Sequence, residues 1–333
     1  MRKRRLLAGA LLALMLAPGT LLRSQVRAEP TADLAITRVA DLPAVTSEGG
    51  FTRGEVWQLD SSRIDFGGYS ALLVLGDATL RAFSDRGRLI TFATPGQPEN
   101  RTVKFANLWN RGDLSNTVPD IEAATRDPAT GDYWVAFESS NSVIRYSLAS
   151  EYIRSRSPPS WQDWPENAGA EAMARLPDGR FLILPEGDSN GLLYPSDPTG
   201  EVAPQKFRFT IPGGYDPTDL AALPDGRVLV LLRKLDWALP PFATAIGIAD
   251  PRDLADGAVL NIDVLVRLDT ILPRENYEAL AIAGVDADGP DKGAVRLWVM
   301  SDDNLASFQR TLLAQLVWRE EPADSAHEKA REE

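Results

Sequence analysis

The sequence predicts an all-β protein of β-propeller architecture, and three observations carry that prediction. A phrase of two short apolar runs joined by a turn recurs five times at intervals near 50 residues, the spacing of propeller blades. The runs are strand-length, and none shows the 3.6-residue period that a helical repeat needs. The joints carry hairpin chemistry: Pro177-Asp178-Gly179-Arg180 and Pro224-Asp225-Gly226-Arg227 are one turn used twice, and Asp127 to Gly131 and Asp286 to Gly293 are longer versions. These Asp/Gly clusters read as tight turns and not as calcium loops, because none has the full EF-hand ligand series or its flanking helices.

Residues 1–28 read as a secretory signal peptide. Arg2, Lys3, Arg4 and Arg5 precede a short apolar run from Leu6 to Ala17, and Val26-Arg27-Ala28 forms a small-residue cleavage site. The run is too short for an ordinary transmembrane helix. Arg4-Arg5 is compatible with twin-arginine export and the rest of the segment with the general secretory route, so both stay open. The expected location is periplasmic or secreted. Residues 29–318 are expected to form the propeller, and residues 319–333 a charged disordered tail.

Within 29–318, the stretches Leu34 to Val39 and Thr52 to Leu59 alternate like half-buried strands. The five phrases follow. Their first runs open at Ser70, Glu122, Glu171, Asp219 and Glu278, separated by 52, 49, 48 and 59 residues. Their second runs end at Asp85, Glu138, Glu186, Arg233 and Asp302. The longest interval holds Pro240, Pro241, Pro251 and Pro273, read as loops added to a blade, and Ser155 to Trp164 reads as another loop. Thr311 to Trp318 is a last strand. Five blades are visible; a sixth would draw on the N-terminal strands and the C-terminal one.

Composition narrows the chemistry. The chain has no cysteine and a single histidine, His327, in the tail. Thiol chemistry, histidine-rich metal sites and a Ser-His-Asp triad are therefore set aside. What remains is carboxylates, hydroxyls, Lys, Arg or a hard metal ion. The formal charge is −12, and loss of the signal with its six basic residues would make it −18. Such a surface repels nucleic acid and anionic membrane. A monomer is expected, with no nucleic-acid partner and no stable membrane insertion once the signal is removed.

The first run of each phrase is rich in small residues, as in Glu171-Ala-Met-Ala, which suits the crowded innermost strand of a propeller. A hairpin brings its two open ends together. Glu122 should then neighbour Glu138, Glu171 Glu186, Glu278 Asp302, Asp219 Arg233 and Ser70 Asp85, all around one channel mouth. Carboxylates this close take up protons, bind Arg or hold a cation. Asp85, Glu122, Glu138, Glu186, Asp219, Asp302, Asp303 and Asn304 are candidate ligands of a hard divalent ion, calcium being the natural choice. Ser301-Asp302-Asp303-Asn304 is the densest polar cluster. Glu171 and Glu278 are candidate general bases, and Arg233 a candidate clamp for an anionic group. Against this stands a collar in which the acids only cap backbone amides. Arg310 serves either purpose, while Arg126 and Arg175 are basic residues elsewhere.

These residues resemble the phytase-like family, described as having esterase-like activity. The resemblance runs from about Gly67 to Trp318. It rests on Ser84-Asp85-Arg86-Gly87, on Glu171-Ala with Leu176-Pro-Asp-Gly-Arg180, on Pro217-Thr218-Asp219 and on Asn276-Tyr-Glu278-Ala-Leu. Ser301-Asp-Asp-Asn304 with Gln309-Arg-Thr-Leu-Leu313 is its most specific part. The resemblance implies a secreted bacterial propeller and favours six blades; joined to the acidic mouth, it makes a calcium-dependent hydrolase of small-molecule phosphate or other esters the expected function. A lactonase or sugar-ester hydrolase and a non-enzymatic binding propeller remain alternatives.

Overall fold

Alternating apolar runs broken by Asp-Gly turns fold here into strands and hairpins throughout. The computed structural model describes residues 33–320 except 64, 97–102, 109–119, 162–163, 165–168 and 290. The expected signal peptide and most of the tail lie outside the described residues. Among the described residues, helix is confined to 3-10 turns and the single turn Leu268–Ile271, and none is long and apolar enough to cross a membrane.

Three N-terminal strands come first: β1 (Ala35–Arg38), β2 (Ser47–Glu48) and β3 (Phe51–Asp60). Blade one orders β4 (Tyr69–Val74), β5 (Thr79–Ser84), β6 (Arg88–Ala93) and β7 (Lys104–Asn107). Blade two orders β8 (Ile121–Arg126), β9 (Tyr133–Phe137), β10 (Ser142–Tyr146) and β11 (Tyr152–Arg156). Blade three orders β12 (Ala170–Arg175), β13 (Phe181–Pro185), β14 (Asn190–Tyr194) and β15 (Gln205–Thr210). Blade four contains β16 (Asp216–Ala222), β17 (Val228–Leu235), β18 (Phe242–Ala249) and, beyond β19 (Val259–Asn261) in the chain, β20 (Asp263–Arg267). Strand β19 instead pairs in parallel with β15 at the edge of blade three, Arg208 opposite Val259. The long fourth interval thus lends a strand to the neighbouring blade.

The fifth blade joins the two parts of the chain that the sequence left for a sixth. Its order is β21 (Asn276–Val285), β22 (Val295–Asp302), β23 (Thr311–Trp318), then β3 and β1, with β2 paired to β3. The described residues therefore form five blades, where the family resemblance favoured six. The physical reason is that Thr311–Trp318 has eight residues to pair, and β3 satisfies its free edge from Leu59 opposite Thr311 to Phe51 opposite Trp318. The inner strands β4, β8, β12, β16 and β21 pack in ring order, and β21 returns to β4.

Packing repeats the same count. One apolar cluster fills each junction between adjacent blades. Between blades five and one it joins Trp57, Leu59, Ala279 and Trp298 to Tyr69, Leu72, Leu80 and Phe92. Alanines on the inner strands (Ala71, Ala123, Ala172 and Ala279) are completely buried; at this crowded radius a larger side chain would overpack the junction. The Asp-Gly joints are tight turns: Gly179 N–H donates to the Leu176 carbonyl at 2.9 Å and Gly226 N–H to Leu223 at 3.0 Å. In each, an Asp holds the Arg two residues on, Asp178 to Arg180 and Asp225 to Arg227.

Candidate functional site

The open ends of all five inner hairpins face one mouth, and the same irregularity shapes each. Pairing between first and second strands slips by one residue near the start of every inner strand. The looped-out residues are Ser70, Glu122, Glu171, Thr218 and Glu278. A bulge leaves its extra residue out of the ladder and re-aims its side chain. Three of these five positions carry glutamate. Within two residues of the end of each second strand stand Asp85, Glu138, Glu186, Arg233 and Asp302.

Electrostatics show how closely these groups converge. Burial pushes the Glu122 carboxyl well above its usual range, and Glu171, Glu278, Asp120 and Glu138 add to the rise. Glu171 is raised by burial and by Glu186, against the lowering effect of Arg233. Burial, together with Asp120 and Glu186, raises Glu138 despite the Gly169 N–H that donates to it at 3.1 Å. Burial raises Asp302, with Glu278, Asp303 and Asp85 contributing. Burial carries Asp85 up to about 6 in spite of the Ser84 hydroxyl that donates to it at 2.9 Å. The ring is continuous from blade to blade.

Among the described residues, Arg233 is the cation bonded to the ring's glutamates. Its guanidinium donates to Glu278 through Nη1 and to Glu186 through Nη2, the latter at 2.8 Å. Asn276 also donates to Glu278, at 2.8 Å. Burial acts against the charge on Arg233, but Glu278, Glu186 and Glu171 outweigh it and hold the guanidinium protonated. On the other side of the mouth, Asp120, Glu122 and Glu138 offer carboxylate oxygens all within 4.8 Å of one another. Two oxygens on opposite sides of a calcium ion lie about 4.6–5.2 Å apart, so this trio fits one such ion.

A family model described as "Phytase-like: Esterase-like activity of phytase" matches residues 64–305. The chain belongs to the phytase-like family. No curated protein matches it significantly. Among solved structures it is similar to a luciferin-regenerating enzyme, at 12% identity and a TM-score of 0.43, over 85% of this chain and 95% of that one. It is also similar to a protein from Lactobacillus plantarum, at 13% identity and a TM-score of 0.37, over 86% of this chain and 96% of that one.

In this phytase-like propeller the sequence-predicted residues do not all share one place. Asp85, Glu122, Glu138, Glu171, Glu186, Arg233, Glu278 and Asp302 stand together at the mouth. Asp219 is one residue past the bulge, and that single step turns it away from the channel. It is buried between two inner strands, its carboxylate accepting the Leu220 and Leu280 N–H groups at 2.8 and 2.7 Å; burial raises its pKa and these two bonds lower it. Thr218 holds the position equivalent to the glutamates. Asp303 is fully buried and accepts from Gly68 N–H, Leu305 N–H and the Thr311 hydroxyl, fastening blade five to blade one. Asn304 is exposed, its amide donating to Gln309 at 3.2 Å. Arg310 pairs with buried Glu275 at 2.6 Å. Arg126 and Arg175 lie at the opposite end of the channel.

Asp120 and Asp216 were missed as mouth residues. Each precedes a bulged residue by two positions, as Gly68 precedes Ser70 and Asn276 precedes Glu278. Period-two spacing puts such pairs on one face, so acid-x-acid at Asp120 and Glu122 was the available signal. Glycine is needed where the crowding is greatest. A Cβ on Gly169 would come within 2.5 Å of the Glu138 side chain, and one on Gly68, at φ +68°, within 2.6 Å of Asp85.

The different burial of Asp219 gives a clean expectation. Asp219→Ala leaves two buried N–H groups without acceptors and should cost about 2–4 kcal/mol. A urea denaturation midpoint measures it. Calcium response, if it belongs to Asp120, Glu122 and Glu138, should be unchanged in the same variant.

Proposed function

We propose that this propeller is a calcium-dependent ester hydrolase working at the acidic mouth. The observation that carries the proposal is the trio Asp120, Glu122 and Glu138, three oxygen ligands at calcium spacing, facing across the channel to acids organised by one arginine. A bound calcium ion would supply charge neutralisation and polarisation of the ester oxygen. Glu171 is assigned as the general base: it stands on a bulge at the mouth, its carboxyl raised by burial and by Glu186, whereas Glu278 is held by Arg233 and Asn276. Arg233 positions Glu186 and Glu278 and presents the positive end of the site.

Phosphate monoesters are the first substrate class in this reading. Neutral esters and lactones are the second, favoured by one fact: the ring's arginine is already ion-paired with two carboxylates. A polyanion such as phytate would need several cations to enter. The reading also takes the protein to be exported, on its basic and apolar N-terminus, into a space where calcium is plentiful. The test is a panel of aryl phosphates, phytate, aryl esters and lactones, each with calcium and with chelator. Calcium-dependent turnover that falls about 100-fold or more in Glu171→Gln is expected. A melting temperature raised by calcium with no turnover of any ester would make the mouth a cation-dependent binding site instead.

A further inference from the structure

The channel has a second end, and its chemistry is the reverse of the first. Where the inner strands run out, they enclose a cavity of about 440 Å³ lined by all five blades. Small-molecule sites span roughly 300–1,000 Å³. Its floor is buried and apolar, formed by Leu72, Leu220 and Leu280. Each of these leucines follows a bulged residue (Ser70, Thr218 or Glu278) by two, and none of the ring acids lines the cavity. Its rim carries Arg126, Arg175 and Pro224.

The two arginines are not equivalent. Arg175 is ion-paired to Asp127 at 3.3 Å. The other Asp127 oxygen accepts the Ala129 N–H at 2.9 Å, inside the turn. Arg126 is half-buried, and among the described residues its guanidinium makes no hydrogen bond and no ion pair. Burial depresses its pKa, opposed only by the charge of Asp127. Five N–H donors thus stand over an apolar pocket with no acceptor of their own. Half-buried beside an apolar floor, such a guanidinium makes a stronger charge-assisted bond to a ligand's acceptor than it would in open water.

We propose that this cavity binds an amphipathic organic anion, an alkyl or aryl carboxylate, with its apolar body on the leucine floor and its carboxylate on the Arg126 guanidinium. One unpaired arginine fits one negative charge, and the planar fork fits a carboxylate through two parallel bonds. The acids and the expected cation at the opposite mouth take no part in this contact.

Isothermal titration calorimetry of the full-length protein with octanoate, 1-octanol and acetate tests the proposal. Octanoate should bind saturably, and octanol and acetate about tenfold more weakly or worse, because each lacks one half of the recognition. Arg126→Gln should bring octanoate to the level of octanol. Ala222→Phe, which fills the cavity from its wall, should remove both. Circular dichroism confirms that each variant is folded; should one fail, the other still decides. Calcium and chelator should leave octanoate affinity unchanged. Absence of saturable octanoate binding, equal binding by Arg126→Gln, or an affinity that follows calcium would each overturn the assignment.

Discussion

Arg233→Met is expected to lose about 3–5 kcal/mol of stability at pH 7.5, a fall of about 6–15 °C in melting temperature for a domain of this size. The residue is the cation that, among the described residues, bonds the acids of this mouth: Glu278 and Glu186, from the two adjacent blades, bond to it directly and Glu171 stands in its field. Methionine keeps much of the volume and removes the charge, leaving those carboxylates partly buried and uncompensated. The deficit should shrink as pH falls toward 5, because Glu171, which burial raises, takes up a proton more readily once the guanidinium is gone. A Glu278→Gln change in the same variant should recover part of the loss, and a double-mutant cycle reads the coupling. Arg233→Lys should rescue incompletely, since an ammonium cannot fork between two carboxylates. Equal melting of variant and parent across this pH range would show that the guanidinium does not balance the ring.

The second large effect is a stability profile that runs opposite to that of most acidic proteins. Burial raises Asp85 to about 6 from 3.8, and burial is also the leading cause of the raised Glu122, Glu138, Glu171 and Asp302. A carboxyl raised on folding holds a proton in the native state over a window where the unfolded chain has released it. The native state then binds more protons, so stability falls as pH rises through that window. For Asp85 the window is about pH 4 to 6, and the shift corresponds to about 3 kcal/mol, trimmed by solvent at the mouth. With chelator present, melting temperature should therefore decline from pH 4 to pH 6. Calcium should reverse the slope, because the deprotonated carboxylates are the ones that bind it. Thermal scans at four pH values with and without calcium measure both. A chelated protein that melts highest at pH 8 would mean that the ring acids are already neutralised by protein donors alone.

Much of the architecture was legible because it depends on periodicity and turns. The Pro-Asp-Gly-Arg joints predicted their hairpins, and the alanines beside each opener predicted the inner strands. The blade number was not legible, because strand partnership across about 250 residues leaves no local trace: nothing in Thr311–Trp318 says that Phe51–Asp60 completes its sheet. The mouth was legible in the charges that end the second strands, since those positions follow from hairpin register. The first-strand residues needed the bulge. Glu122, Glu171 and Glu278 lie on it, whereas Asp219 lies one residue beyond it, a difference invisible when Pro217-Thr218-Asp219 is aligned by its acid. Asp303 failed the same way: its neighbour Asp302 reaches the ring, and alternation along a strand sends the next side chain elsewhere.

The closure of blade five by β3 also sets a timetable. Strand β3 leaves the ribosome first, and its partner β23 follows about 250 residues later. At about 5–20 residues per second, β3 waits roughly 13–50 s for the edge it will join. Over that interval it is a ten-residue strand with β1 and β2 along one edge and its other edge unpaired. Arg53, Glu55 and Asp60 interrupt its apolar positions, the composition that discourages a waiting edge from pairing with a second chain. The last strand made and the third strand made meet only when synthesis is nearly complete, so the ring forms as a late, whole-chain event.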